Sequence, residues 1–230
     1  MAKKKVVSAK DQIRQLFLND DRLYVWKGAQ DRQEVEERLE KVFLNALHIL
    51  GYNSNNENFT KTPMRIARAW VEMLRGDWDT IDEVDRLLSV TFPSDQHDEM
   101  VVVSDMDAIG LCPHHFLPIE YRVTVGYLPK GPEFRVVGLS KIPRLVEVLA
   151  ARAVMQETLS AHIVGCLMAY LNPMGAGVLV VGRHGCLSCR GAKQRSAIMR
   201  TTWLSGVFRD DPSIKQEFFM HATSNGTTTK

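Results

Sequence analysis

Ile119-Glu120-Tyr121-Arg122-Val123-Thr124-Val125-Gly126-Tyr127 sets an apolar residue at every second position. A period of two belongs to a strand with one buried face, and here it predicts an antiparallel sheet. Residues 100–103, 178–181 and 197–208 read as further strands, and Pro129-Lys130-Gly131-Pro132 as a turn. Two helical stretches lie between these strands, at about 141–151 and 155–171. Met155, Leu159, Ile163, Leu167 and Leu171 fall on or near one face of the second.

Upstream the period changes to three and four. From Asp31, Val35, Leu39, Val42, Phe43, Ala46 and Leu50 mark a helix that stops at Gly51, and 53–58 is an Asn-rich loop. Thr62-Pro63 reads as an N-cap with a first-turn proline; Ile66, Trp70, Met73 and Leu74 form the buried stripe, and Gly76 the end. Asp211-Pro212 opens a last short helix. Residues 1–30 show no sustained period and are expected to form a weakly ordered arm, and 223–230 a polar tail. Helices lead and strands flank a helical pair, which makes the fold class α+β with an antiparallel sheet.

Of the 230 residues, 45% are hydrophobic and 24% charged, as in an ordinary globular protein. No apolar run approaches the roughly 20 residues of a membrane span. Lys3, Lys4 and Lys5 are followed only by Val6 and Val7, too few for a secretory signal, so a cytoplasmic protein is expected. A net charge of +2 argues against a nucleic-acid coat, so an anionic ligand must be met by local basic clusters. Disulfides among Cys112, Cys166, Cys186 and Cys189 are not expected in that compartment.

Cys112-Pro113-His114-His115 and His184-Gly185-Cys186-Leu187-Ser188-Cys189 both stand at the ends of predicted strands. Thiolate and imidazole are preferred zinc ligands. A closed structural site would take four ligands, for example Cys112, His115, Cys186 and Cys189; a catalytic one takes three and keeps a position for water. Cys166, within an apolar helix, reads as packing.

Gly138-Leu139-Ser140-Lys141 opens a helix with Arg144 one turn on, an arrangement suited to phosphate. Arg65 with Arg68, and Arg190, add cations that a polyphosphate would explain jointly. Gln156-Glu157 begins the long helix. A carboxylate beside an amide can read the N1–H and exocyclic amine edge of guanine.

Taken in order, Lys61-Thr62-Pro63-x-Arg65, Asp98-Glu99-Met100-Val101, Cys112-x-His114-His115, Gly138-Leu139-Ser140-Lys141, Gln156-Glu157, His184-x-Cys186, Arg190-Gly191 and Gly206-Val207-Phe208-Arg209-x-Asp211-Pro212 closely resemble GTP cyclohydrolase I over about 32–219. The resemblance implies a tunnelling fold, with a helical region at 31–90 and the catalytic domain at 91–222. It also implies a homodecamer of two five-fold rings, which closes the strand edges. The activity implied is hydrolysis of GTP to dihydroneopterin triphosphate and formate, at the head of pterin, folate or deazaguanine synthesis. Zinc would be held by Cys112, His115 and Cys186, with His114 and His184 as acid/base groups. Ser140, Lys141, Arg144, Arg65, Arg68 and Arg190 would lie near ribose and triphosphate, and Gln156 and Glu157 at guanine.

Four features depart from the family pattern. Pro113 replaces a usual glutamate, 130–134 is longer by a few residues, 197–203 replaces a Ser/Thr-rich strand, and Cys189 is an additional thiol. Two rival classes are distinguishable. Another tunnelling-fold enzyme acting on pterins or deazaguanines would need no Cys-His-Cys site. A non-catalytic zinc-stabilised nucleotide-binding oligomer would need neither His184 nor Ser140.

Overall fold

The structure, a computed structural model, describes residues 7–18, 32–93, 99–131 and 135–223. The polar tail beyond 223, Asp98 and residues 132–134 of the lengthened turn lie outside the described residues. The chain runs α1 (Ala9–Leu18), α2 (Arg32–Ile49), α3 (Thr62–Met73), α4 (Gly76–Leu88), β1 (Thr91–Pro93), β2 (Val101–Leu111), β3 (Pro118–Leu128) and β4 (Arg135–Val137). It continues through α5 (Lys141–Ala150), α6 (Gln156–Leu171), β5 (Gly175–His184), α7 (Gly185–Ser188), β6 (Met199–Gly206), α8 (Val207–Asp210) and α9 (Pro212–Thr223). The α+β class is borne out.

β2, β3, β5 and β6 form one antiparallel sheet in that order, and β1 pairs with β4 in a small second one. The alternation that predicts β3 fixes its faces: Ile119, Tyr121, Val123, Val125 and Tyr127 are buried in the main core. The helical pair α5 and α6 covers that face, through Ile142, Leu145, Val146, Leu149, Leu159, Ile163 and Leu167. Full burial of one such side chain is worth about 1.5–3 kcal/mol, so this layer is the main source of stability. On the other face, Phe208 and Phe218 from the C-terminal helices close over Leu128 and Leu179.

Several elements differ from the sequence reading. Within the expected weakly ordered arm, residues 9–18 form a helix with Ile13 and Phe17 buried. Phe17 meets the ring of His162 edge-on at 4.6 Å and lies 5.0 Å beneath the Arg152 guanidinium. Gly165 makes the approach possible, since a Cβ there would collide with Leu16. Lys10 adds an ion pair to Asp82 at 2.8 Å. Gly76 does not end a helical region but starts α4, whose Val84, Leu87 and Leu88 are fully buried. Thr62 lies inside α3 rather than capping it; its hydroxyl donates to the Asn58 carbonyl at 3.2 Å. β2 extends well past 103, because a bulge at 103–106, with Asp105 at φ 56°, interrupts the alternation without ending the strand.

Candidate metal centre and substrate site

The turn from β2 to β3 is closed twice by backbone. Phe116 N–H donates to the Cys112 carbonyl at 2.8 Å, and Cys112 N–H to the Leu117 carbonyl at 2.9 Å. Pro113, His114 and His115 are left at its tip. Phe116 holds φ 51°, a left-handed conformation that costs a non-glycine residue about 1–2 kcal/mol. Its ring stacks on Trp70 of α3, with centroids 5.4 Å apart and planes at 27°. Phe43 of α2 meets Trp70 edge-on at 5.1 Å.

Ile119 is in register with His184, which brings the end of β5 and the short α7 alongside this turn. Ligand atoms of Cys112, His115 and Cys186 then all lie within 4.8 Å of one another. The Cys186 and Cys112 sulfurs are 3.7 Å apart. Burial first, and then the Cys112 sulfur, push the Cys186 thiol up. A cation among these atoms would reverse that, because a metal deprotonates the thiols it binds. His115 accepts a 2.8 Å hydrogen bond at Nε2 from Arg190; a guanidinium can only donate, so this nitrogen offers its lone pair. Cys189 is exposed and its thiol is turned to the Gly185 carbonyl at 2.8 Å, outside the cluster. Among the described residues the donor set is therefore three, not four.

His184 is half-buried, and its Nε2 lies 2.9 Å from Oε1 of Gln156, the first residue of α6. Gln156 is 1% exposed. Its Nε2 faces the Val180 carbonyl at 3.0 Å, Thr201 Oγ1 at 3.1 Å and the Met199 carbonyl at 3.2 Å. These contacts fix the amide so that Oε1 points at the imidazole. His184 Nε2 is then the donor, and Nδ1 keeps a lone pair. Gly182 is required beneath this contact, since a Cβ there would strike Gln156 Oε1. Burial lowers the His184 pKa, and the charge of Glu157 opposes that shift. Glu157 itself is exposed. In the single chain the Gln156 amide is engaged inside the protein, while Glu157 faces outward.

His114 is exposed, with Nδ1 3.9 Å from Cys112 Sγ. Ser140 stands at the N-cap of α5 but its hydroxyl makes no capping bond, and Lys141 and Arg144 follow. The Glu83 carboxyl is held below its usual range first by its hydrogen bond to Arg86, with the charges of Arg144 and Lys141 adding to that. Arg65 and Arg68 belong instead to the α2–α3 pair. Arg68 is 3.5 Å from Glu36 and lines a cleft with Glu37 and Glu40. Within one chain, then, Arg68 is not gathered with Lys141 and Arg144. The positioning role of Gln156 and the Trp70–Phe116 stack went unread in the sequence. Trp70 was visible only as one of the apolar stripe.

The family model described as GTP cyclohydrolase I matches residues 39–223. The GTP cyclohydrolase 1 of Homo sapiens is 36% identical over 198 residues, covering 84% of this chain and 77% of that one. That of Campylobacter jejuni subsp. doylei is 37% identical over 185 residues, covering 80% and 94%. That of Dictyostelium discoideum is 34% identical over 192 residues, covering 84% and 80%. No helix among the described residues is long and apolar enough to cross a membrane. With the matched segment spanning both the metal cluster and the His184–Gln156 pair, the chain is an enzyme of the GTP cyclohydrolase I family.

Proposed function

We propose that this chain hydrolyses GTP to 7,8-dihydroneopterin triphosphate and formate, with one zinc ion per subunit at Cys112, His115 and Cys186. The observation that carries the reading is the three-atom donor cluster set beside an oriented His184. Two thiolates and one imidazole suit zinc, and three protein ligands leave a position free. Zinc held there supplies Lewis acidity and lowers the pKa of a bound water to about 7.

The chain's own groups do the rest. C8 of guanine is a poor electrophile until N7 is protonated, and His184, with a lone pair on Nδ1, carries that proton. His114, at the exposed tip of the turn, is the second proton carrier. Glu157 accepts from N1–H and the exocyclic amine. The α5 N-terminus, Lys141, Arg144 and Arg190 take the triphosphate. The uncommitted Ser140 hydroxyl assists opening of the ribose, which permits an Amadori-type shift and closure of the pterin ring. Arg65 and Arg68 are assigned to the triphosphate of a neighbouring copy, because they belong to the α2–α3 pair, where Arg68 faces Glu36.

The proposed assembly uses the edges of the sheet. β2 and β6 are its two outer strands, with Ile109 and Trp203 exposed on them. Joining these edges between copies gives a five-fold barrel, and two rings give a decamer. The product would supply pterin, folate or deazaguanine synthesis from a cytoplasmic enzyme.

The test is incubation of zinc-loaded protein with GTP. Formate should appear with a product that fluoresces as a pterin after oxidation. Guanine nucleotide recovered unchanged would reject the reading.

A further inference from the structure

Phe116 is the residue after His115, and its backbone is held in a conformation that side chains avoid. Such a conformation persists where the surroundings hold it. The two backbone bonds at 112–117 close the turn but leave the Phe116 ring outside it, and Trp70 is what that ring lies on. Trp70 is itself braced edge-on by Phe43, so a three-ring ladder runs from α2 through α3 to the metal turn. Offset-stacked and edge-on pairs at these separations are attractive geometries. Phe116 is still 39% exposed, so general burial does not pin it.

We propose that Trp70 is a positioning residue for the metal turn: by stacking on Phe116 it holds the left-handed backbone there and so keeps His115 where Cys112 and Cys186 can share a cation with it. This rests on the metal reading of the Cys112–His115–Cys186 cluster. The site thereby depends on a helix that contributes no ligand. A turn without the stack would relax at Phe116 and swing His115 away from the two sulfurs.

The experiment measures zinc affinity by competition with a chromogenic chelator, in the full chain and in Trp70→Ala, Trp70→Leu and Trp70→Phe. Trp70→Leu keeps apolar volume without a stacking ring, so it guards against a variant that fails to fold. Affinity should fall about 10-fold in the Ala and Leu variants and return to within about 3-fold in Trp70→Phe, the scale of one aromatic pair. Combining Trp70→Ala with Phe116→Ala should cost scarcely more than either alone, because both remove one contact. In metal-free protein, amide exchange at Phe116 should quicken in Trp70→Ala, since its N–H is bonded to Cys112. Parent-like zinc affinity in folded Trp70→Leu, or multiplying effects in the double variant, would overturn the proposal. Absence of zinc binding by the parent chain would overturn the metal reading instead, and unchanged amide exchange in Trp70→Ala would then overturn the clamp by itself.

Discussion

His184 and Gln156 share a 2.9 Å hydrogen bond whose direction is set from the far side of the amide, by Val180, Met199 and Thr201. One buried side chain therefore ties α6 to β5 and β6 and orients the His184 imidazole.

Gln156→Ala should lower kcat by about 100-fold or more, the scale of a misplaced acid/base group. KM for GTP should stay within about 3-fold, and stability should fall by about 1–3 kcal/mol for the carbonyls and hydroxyl left unpaired. Steady-state kinetics and denaturant unfolding check both parts. A large rise in KM with kcat intact would show that the amide reads guanine after all.

How much of this was legible beforehand depends on the range of the interactions. β3 and the α5–α6 pair could be read because Ile119 to Tyr127 and Ile142, Leu145, Val146 and Leu149 repeat locally. β2 was cut short because Ser104 and Asp105 form the bulge, where strict alternation fails. α1 escaped because Ile13, Leu16 and Phe17 make a single helical repeat in a ten-residue stretch, and its support comes from Gly165 and His162, far along the chain. Cys112, His115 and Cys186 were readable as candidate ligands because their residue types are rare. The role of Gln156 was not, since Met199 and Thr201 are more than forty residues away and are ordinary in type.

Zinc content should be one ion per subunit by elemental analysis. Cys112→Ser, His115→Ala and Cys186→Ser should each lose metal and activity together. Cys189→Ser should retain both, because its sulfur is turned to the Gly185 carbonyl. Metal loss in Cys189→Ser would restore the four-ligand structural reading.

His184→Ala should keep its zinc while turnover falls by at least about 100-fold, because a proton carrier rather than a ligand is removed. Zinc analysis beside a formate assay separates these outcomes. Loss of zinc together with activity would move His184 into the donor set.

Lys141→Ala and Arg144→Ala should weaken GTP much more than guanosine, by about 10-fold or more per charge-assisted contact. Arg68→Ala should have a smaller effect, since Glu36 already faces that guanidinium. Equilibrium binding of both ligands to each variant decides it. Equal weakening of GTP and guanosine would place the phosphates elsewhere.

Sedimentation should give a particle near ten times the 26.0 kDa chain mass. A monomer with full cyclohydrolase activity would remove the case for sites shared between copies.

The position of β6 also bears on the order in which the molecule can be made. It lies at the rim of the sheet against β5, and it leaves the ribosome after β2, β3 and β5. At about 5–20 residues per second, a nascent chain waits with β5 bare until Met199 to Gly206 arrive. Until then Gln156 lacks its partners on Met199 and Thr201. Early termination before Met199 would therefore not yield a smaller, quieter enzyme. It would leave a chain with an open apolar strand, a substrate for aggregation and for the cell's proteases. Premature stop codons that remove Met199 to Gly206 should thus act as losses of protein rather than losses of catalysis.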